Sequence, residues 1–99
     1  MIDSKDFYYF LKNHKIDSFV GVPDSLLKHF CAFVNDKIDE DKHIITANEG
    51  SSIALASGLY FGSGNASAVY MQNSGLGNTI NPLLSLADRE VYSVPMLLL

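Results

Sequence analysis

The sequence predicts an α/β fold in which a parallel sheet is covered by helices on both faces. Short apolar runs alternate along the chain with segments of helical periodicity, and the polar turns between them open the next helix. With 47% hydrophobic and 18% charged residues, the composition is that of an ordinary globular protein. Its 99 residues suit at most one small domain.

The first helix and the first strand follow from capping and β-branched residues. Asp3 or Ser4 can cap a helix that we expect to run to about His14. The apolar side of this helix consists of Phe7, Tyr8, Phe10 and Leu11. Residues 16–22 then predict a short buried strand, which ends in a turn at residues 21–25.

A second helix is predicted over residues 25–37, because apolar residues recur there at helical spacing. Its buried side consists of Leu27, Phe30, Cys31, Val34 and Ile38. Cys31 is therefore interpreted as a packed thiol rather than a reactive one. A second strand at residues 43–46 and a second turn at residues 47–50 follow.

Two further helices and two further strands complete the alternation. Apolar and small residues occupy nearly every side of the helix at 51–61, so we expect it to be buried on nearly all sides. Residues 68–71 predict a buried strand that leads into a polar loop at 72–77, after which a helix begins at Asn78. The chain stops on an apolar strand at 93–99 with no cap or turn behind it, so we expect it to be truncated.

Charge and cysteine content disfavour several classes of protein. The formal net charge is −4 at pH 7 and no basic stripe is present, which disfavours nucleic-acid binding. A single cysteine excludes an internal disulfide and offers no zinc site. The sequence has neither an export signal nor a membrane-spanning run, so we expect a cytoplasmic protein.

Residue spacing argues against several catalytic motifs. Gly-Leu-Gly at residues 75–77 follows a strand, but Ile80 stands where a dinucleotide-binding fingerprint requires glycine or alanine. No Gly-Lys-Ser/Thr phosphate loop is present, and neither Ser25 nor Ser74 lies in a nucleophile elbow. The three histidines show no metal-ligand spacing and are interpreted as surface or packing residues.

Three polar turns are predicted to meet at one edge of the sheet. Residues 21–25, 47–50 and 72–78 each follow a strand, and the carboxyl ends of parallel strands lie along the same edge. Glu49 is the only plausible buried acid among them. The helix dipole favours its carboxylate, whereas burial favours the neutral acid. From the residues alone, Glu49 is either a helix cap or a functional acid.

Four segments of the chain carry a resemblance to a known family. They are Val22-Pro-Asp-Ser-Leu-Leu-Lys28, Asn48-Glu-Gly50, Met71-Gln-Asn-Ser-Gly-Leu-Gly-Asn78, and Asn81-Pro-Leu-Leu-Ser-Leu-Ala-Asp88 with Glu90-Val-Tyr92. Through them essentially the whole chain resembles the N-terminal, pyrimidine-binding domain of thiamine-diphosphate-dependent 2-oxo-acid decarboxylases. Within that family it is most similar to phosphonopyruvate decarboxylases, and next to the alpha subunits of sulfopyruvate decarboxylases.

The resemblance implies that Glu49 is catalytic. In the family, the matching carboxyl group hydrogen-bonds N1′ of the cofactor's aminopyrimidine, so that the 4′-nitrogen removes the thiazolium C2 proton. The implied reaction is decarboxylation of phosphonopyruvate to phosphonoacetaldehyde and CO2, a step in the biosynthesis of phosphonates such as 2-aminoethylphosphonate.

The resemblance also implies further contacts to cofactor and substrate. The implied contacts to thiamine diphosphate are Pro23, Glu49, Gly75 and Asn78. The implied contacts to the substrate are Ser25, Gln72, Asn73 and Ser74. Asp24 is instead expected to cap the following helix, because a bare carboxylate would repel a phosphonate dianion.

The resemblance further implies parts that this sequence does not contain. In the family, Mg²⁺ and the diphosphate are bound by a Gly-Asp-Gly…Asn segment of a C-terminal domain, and no such segment occurs here. That domain is expected in the same chain or in a second subunit, and this chain alone is expected to be inactive. Family active sites lie between subunits, which implies at least a homodimer. A non-catalytic α/β module that binds an anionic metabolite is the alternative.

Overall fold

The computed structural model describes residues 2–99 and contains a four-stranded, all-parallel sheet. Its strands are β1 (Ser18–Gly21), β2 (His43–Ile45), β3 (Ser67–Tyr70) and β4 (Met96–Leu98), in the spatial order β2-β1-β3-β4. Its α-helices are α1 (Ser4–Asn13), α2 (Lys28–Lys37), α3 (Glu49–Ser63) and the single turn α4 (Ile80–Pro82). Every predicted strand is present, although β1 begins two residues and β4 three residues later than predicted.

The two central strands, β1 and β3, are buried at every residue and covered on both faces. They pair in register, from Ser18 opposite Ser67 to Gly21 opposite Tyr70. The core on the α1 and α2 face consists of Tyr8, Leu11, Phe19, Phe30, Val34, Ala68 and Tyr70. The core on the α3 face consists of Ile53, Ala56, Val69 and Met71. This double covering confirms the predicted fold class, because parallel sheets are buried on both sides.

Side-chain caps set the starts of two helices. The Asp3 carboxylate accepts hydrogen bonds from two backbone N–H groups of the first turn of α1, at 2.9 and 3.2 Å, as predicted. Asn48 caps α3, because its side-chain oxygen accepts from the backbone N–H of Ser51 at 2.9 Å. Consequently α3 begins at Glu49, two residues before its predicted start.

The segment before α2 differs from its prediction. A 3-10 turn over Ser25–Leu27 comes first, and Asp24 precedes it without making a side-chain capping hydrogen bond. The predicted capping role of Asp24 is therefore wrong. The turn is closed through the backbone instead, since the Leu27 N–H donates to the Asp24 carbonyl at 3.1 Å.

The polar segment after β3 is helical rather than a loop. It forms a 3-10 helix over Asn73–Thr79, and α-helical geometry begins only at Ile80, so the predicted loop at 72–77 and the predicted helix start at Asn78 are both wrong. Pro82 contributes to this difference, because it has no N–H with which to bond the Asn78 carbonyl in the α-helical pattern. The tighter helix brings side chains three residues apart onto one side.

The long helix α3 packs on one side only. Ala54, Gly58 and Phe61 are exposed, so the prediction that this helix is buried on nearly every side is wrong for the part of the protein described. The sheet reaches only the side that carries Ile53 and Ala56. Although α3 is apolar, neither it nor another helix within residues 2–99 is long and apolar enough to cross a membrane.

Candidate active site at the carboxyl edge of the sheet

The carboxyl ends of β1, β2 and β3 lie side by side. Just beyond the strands, the Val22 N–H donates to the Tyr70 carbonyl at 3.2 Å, and the Thr46 N–H donates to the Gly21 carbonyl at 3.0 Å. The turns that follow these strands therefore share one edge, as predicted. The candidate site is the part of this edge where the start of α3 meets the 3-10 helix Asn73–Thr79.

Glu49, the first residue of α3, is hydrogen-bonded to that 3-10 helix. Asn78 Nδ2 donates to Glu49 Oε2 at 2.9 Å. This bond is the main cause that lowers the pKa of the Glu49 carboxyl; its own backbone N–H lowers it further, and partial desolvation opposes both. The side chain is partly exposed, so the prediction of a buried acid is wrong. Glu49 is therefore an ionised hydrogen-bond acceptor at neutral pH.

Glycines allow α3 and the 3-10 helix to approach closely at this point. A Cβ added at Gly75 would overlap Glu49 Oε1 and lie 2.6 Å from Glu49 Cδ. A Cβ added at Gly50 would lie 2.9 Å from the Asn78 carbonyl oxygen. At Gly50 the obstacle is the Asn78 backbone, so this position requires glycine for space, whereas a side chain at Gly75 would displace the Glu49 carboxyl from its present position.

The other predicted site residues lie on the turns after β1 and β3, and within residues 2–99 none of them donates a hydrogen bond to the Glu49 carboxylate. Pro23 and Ser25 line a cavity of about 370 Å³ between α2 and the edge strand β2. Asn73 lines a second cavity of about 380 Å³, which reaches the end of β4. Gln72, Asn73 and Ser74, at the start of the segment after β3, are exposed.

A polar cluster at the first cavity is not predicted by the sequence. His43 bonds the Asn35 side-chain oxygen through Nδ1 and the Tyr70 hydroxyl through Nε2, both at 2.8 Å. Burial lowers the pKa of His43, and burial together with the nearby Cys31 raises the pKa of Tyr70. The two groups are therefore neutral near pH 7. They come from separate strands and meet only through the pairing order of the sheet.

Comparison with known proteins identifies the family. Residues 4–99 match the family described as thiamine pyrophosphate enzyme, N-terminal TPP binding domain. The chain belongs to this family. The resemblance found in the sequence is thereby confirmed.

Individual relatives of this thiamine pyrophosphate enzyme domain are decarboxylases. The chain is 37% identical over 97 residues to sulfopyruvate decarboxylase subunit alpha of Methanococcus maripaludis. This match covers 97% of this chain and 55% of that relative. It is 35% identical over 88 residues to phosphonopyruvate decarboxylase of Streptomyces hygroscopicus, covering 87% of this chain and 21% of that relative. The chain thus spans about half the length of the sulfopyruvate decarboxylase subunits it matches.

A solved structure shares the fold of this domain. Benzoylformate decarboxylase from Polynucleobacter necessarius superposes with a TM-score of 0.75 at 23% sequence identity, covering 99% of this chain and 18% of that chain.

The hydrogen-bonding groups at the candidate site fit the pyrimidine half of thiamine pyrophosphate. An ionised, partly exposed carboxylate such as that of Glu49 accepts a hydrogen bond from a ring N–H. Within residues 2–99, no group of three or more His, Cys, Asp and Glu side chains could bind a metal ion. The described residues therefore assign no site to Mg²⁺.

Proposed function

We propose that this chain supplies the pyrimidine-binding part of a thiamine-diphosphate-dependent decarboxylase that acts on phosphonopyruvate, releasing CO2 and phosphonoacetaldehyde. The observation that carries the proposal is the ionised Glu49 carboxylate at the meeting point of α3 and the 3-10 helix, in a chain of this family. The Glu49 carboxylate also counts against a non-catalytic module that would bind an anion directly against this side chain, since like charges repel.

In the proposed enzyme, Glu49 controls a proton on the cofactor's pyrimidine ring. Its carboxylate accepts a hydrogen bond at N1′ and stabilises a proton there. When bound, the cofactor supplies the electron sink into which the bond to the departing CO2 breaks. Pro23, in the turn after β1, would contact the pyrimidine ring of the bound cofactor.

The substrate is proposed to bind beside the exposed polar residues of the two turns. Gln72, Asn73 and Ser74 offer neutral donors to a carboxylate or a phosphonate. Asp24 borders both cavities at this edge. Because Asp24 lines the same cavity as Asn73 and its charge would repel a dianion, we place the phosphonate beside Gln72, which lines neither cavity.

Further parts of the proposal concern the complete enzyme. Mg²⁺ and the diphosphate are assigned to a C-terminal domain in the same or another chain, and the active enzyme is proposed to be at least a dimer. A cytoplasmic location stays a prediction from the sequence.

Sulfopyruvate is the second candidate substrate. It is favoured by the Methanococcus relative, because that match extends over 97% of this chain at 37% identity. In that case the partner would be a separate chain that carries the diphosphate-binding domain.

The proposal is tested by assaying the complete enzyme, with any partner chain, on phosphonopyruvate, sulfopyruvate and benzoylformate. Each acid is assayed with and without thiamine diphosphate and Mg²⁺, and CO2 release is measured. We expect cofactor-dependent release from phosphonopyruvate. Preference for sulfopyruvate would replace the substrate, and no release from any of the three acids by an enzyme that binds the cofactor would contradict the proposal.

A further inference from the structure

Two residues of the 3-10 helix contact the Glu49 carboxylate from one side. Gly75 and Asn78 are three residues apart, and in a 3-10 helix such positions are eclipsed. Asn78 Nδ2 donates to Oε2 at 2.9 Å, while Oε1 and Cδ lie where a side chain at Gly75 would begin. Asn78 thus provides a hydrogen-bond donor to the carboxylate, and Gly75 provides the space that the carboxylate occupies.

We infer that Gly75 and Asn78 form a seat that positions the Glu49 carboxylate, and that Asn78 acts through Glu49 rather than by touching the cofactor. The inference rests on the proposed function, because it explains how the acid is fixed for the pyrimidine ring. It differs from the direct cofactor contacts that the resemblance implies for both residues.

The need for a seat follows from the exposure and length of the side chain. A partly exposed glutamate has several rotatable bonds and samples many rotamers, and ordering it costs conformational entropy when a ligand binds. Asn78 donates to Glu49 Oε2, and the missing side chain of Gly75 leaves room for Oε1. Together these two contacts select one rotamer of Glu49 before the ligand binds. Such preorganisation strengthens ligand binding and catalysis together.

The position of Asn78 is itself fixed by α3. Its carbonyl oxygen lies 2.9 Å from the point where Gly50 would carry a Cβ, so the first turn of α3 packs directly on this residue. Glu49 and Gly50 therefore meet Asn78 through adjacent contacts. The lowered pKa of Glu49, with the Asn78 bond as its first cause, agrees with a seat that favours the charged acceptor.

A matched pair of glycine variants tests the space under the carboxylate. Gly77 lies in the same 3-10 helix, and a Cβ added there would meet nothing within 4 Å. We expect Gly75→Ala to weaken binding of thiamine diphosphate to the complete enzyme by about tenfold and to lower kcat. Gly77→Ala is expected to change the dissociation constant less than about twofold. Equal effects of the two variants would overturn the inference.

A double-mutant cycle tests whether Asn78 acts through Glu49. The dissociation constant of thiamine diphosphate is measured by calorimetry, without substrate, for Asn78→Ala in the wild-type and Glu49→Ala backgrounds. We expect about tenfold weaker binding in the first background and no further loss in the second. Asn78→Asp, of the same size but carrying a like charge, should lose more than Asn78→Ala.

Each outcome of this cycle is decisive. Equal losses in both backgrounds would show a direct contact of Asn78 with the cofactor and overturn the inference. If the Glu49→Ala protein binds too weakly to measure, Asn78→Asp decides, because a loss no larger than that of Asn78→Ala would show that Asn78 does not act through the Glu49 charge and would overturn the inference. If the wild-type enzyme binds no thiamine diphosphate, the proposed function fails; if it binds but shows no contrast, only the seat fails.

Discussion

Two polar clusters border the same sheet, and opposite physical causes set their charge. At the Glu49 cluster, an amide donor from Asn78 stabilises a charged group that is partly exposed. At the His43 cluster, burial keeps His43 and Tyr70 neutral while they bond each other at 2.8 Å. A carboxylate that a donor holds in its charged form is suited to ligand chemistry, whereas a neutral pair that includes the buried Tyr70 is suited to fixing the positions of strands.

This difference predicts that substitutions at the His43 cluster and its contacts change the free energy of unfolding before they change ligand binding. Gly21 pairs with Tyr70 across the two central strands, and a Cβ added at Gly21 would overlap the Tyr70 carbonyl oxygen and lie 2.6 Å from its ring atom Cδ2. We expect Gly21→Ala to destabilise the protein by about 3 kcal/mol, because backbone has to move. Chemical denaturation of the complete protein measures this.

Gly62→Ala is the control for that measurement. An added Cβ at Gly62 meets nothing within 4 Å, and alanine favours the helix. We expect Gly62→Ala to leave the free energy of unfolding unchanged or to raise it by less than about 1 kcal/mol. A loss at Gly21 no larger than that at Gly62 would show that the close contact of β1 with Tyr70 is misplaced.

A smaller effect on the free energy of unfolding is expected when only the Tyr70 hydroxyl of the His43 cluster is removed. Tyr70→Phe leaves His43 Nε2 without its 2.8 Å partner, which should cost about 1–2 kcal/mol in the free energy of unfolding. Tyr60→Phe, at a tyrosine whose hydroxyl makes no hydrogen bond in the part of the chain described, should be nearly neutral. If the cluster is structural, cofactor affinity of the folded Tyr70→Phe enzyme stays within about twofold of wild type.

The smallest effect is the pH dependence that separates the two clusters. The pKa of His43 is lower in the folded state, so the unfolded state binds more protons as the pH falls. The stability from neutral His43 is therefore complete above its unfolded pKa of about 6.5 and is lost below it. The pKa of Glu49 is also lowered in the folded state, and the stability that its carboxylate contributes is lost only below about pH 4.3.

A variant without the imidazole isolates this contribution. Between about pH 7 and pH 5, the melting temperature of the wild-type protein should fall more than that of His43→Gln. Parallel curves over this range would mean that His43 is not held neutral by burial.

The sequence allowed the sheet, its strands and the edge at which the turns meet to be predicted, because apolar runs and capping residues are local signals. Asp3 illustrates this, since its cap follows from residue type and position alone. The 3-10 helix was missed because glycines and amides are equally typical of loops. The contact of His43 with Tyr70 depends on strand order, which no local pattern states.

Glu49 was correctly placed at the edge of the sheet, but its burial was not. The opposing effects of helix dipole and burial are both visible in the sequence, yet their balance depends on how far α3 is covered. The spacing of Gly75 and Asn78 was a usable signal for the seat only once the segment was known to be a 3-10 helix.

Cofactor-dependent turnover of the Glu49→Gln enzyme, measured beside its melting temperature, tests directly whether the Glu49 carboxylate controls the proton on the pyrimidine ring. The amide has nearly the same size but cannot carry the charge that would stabilise a proton at the pyrimidine nitrogen. We expect a loss in kcat of about 1,000-fold with a melting temperature within roughly 2 °C of wild type. Turnover within about threefold of wild type, with cofactor bound, would contradict it.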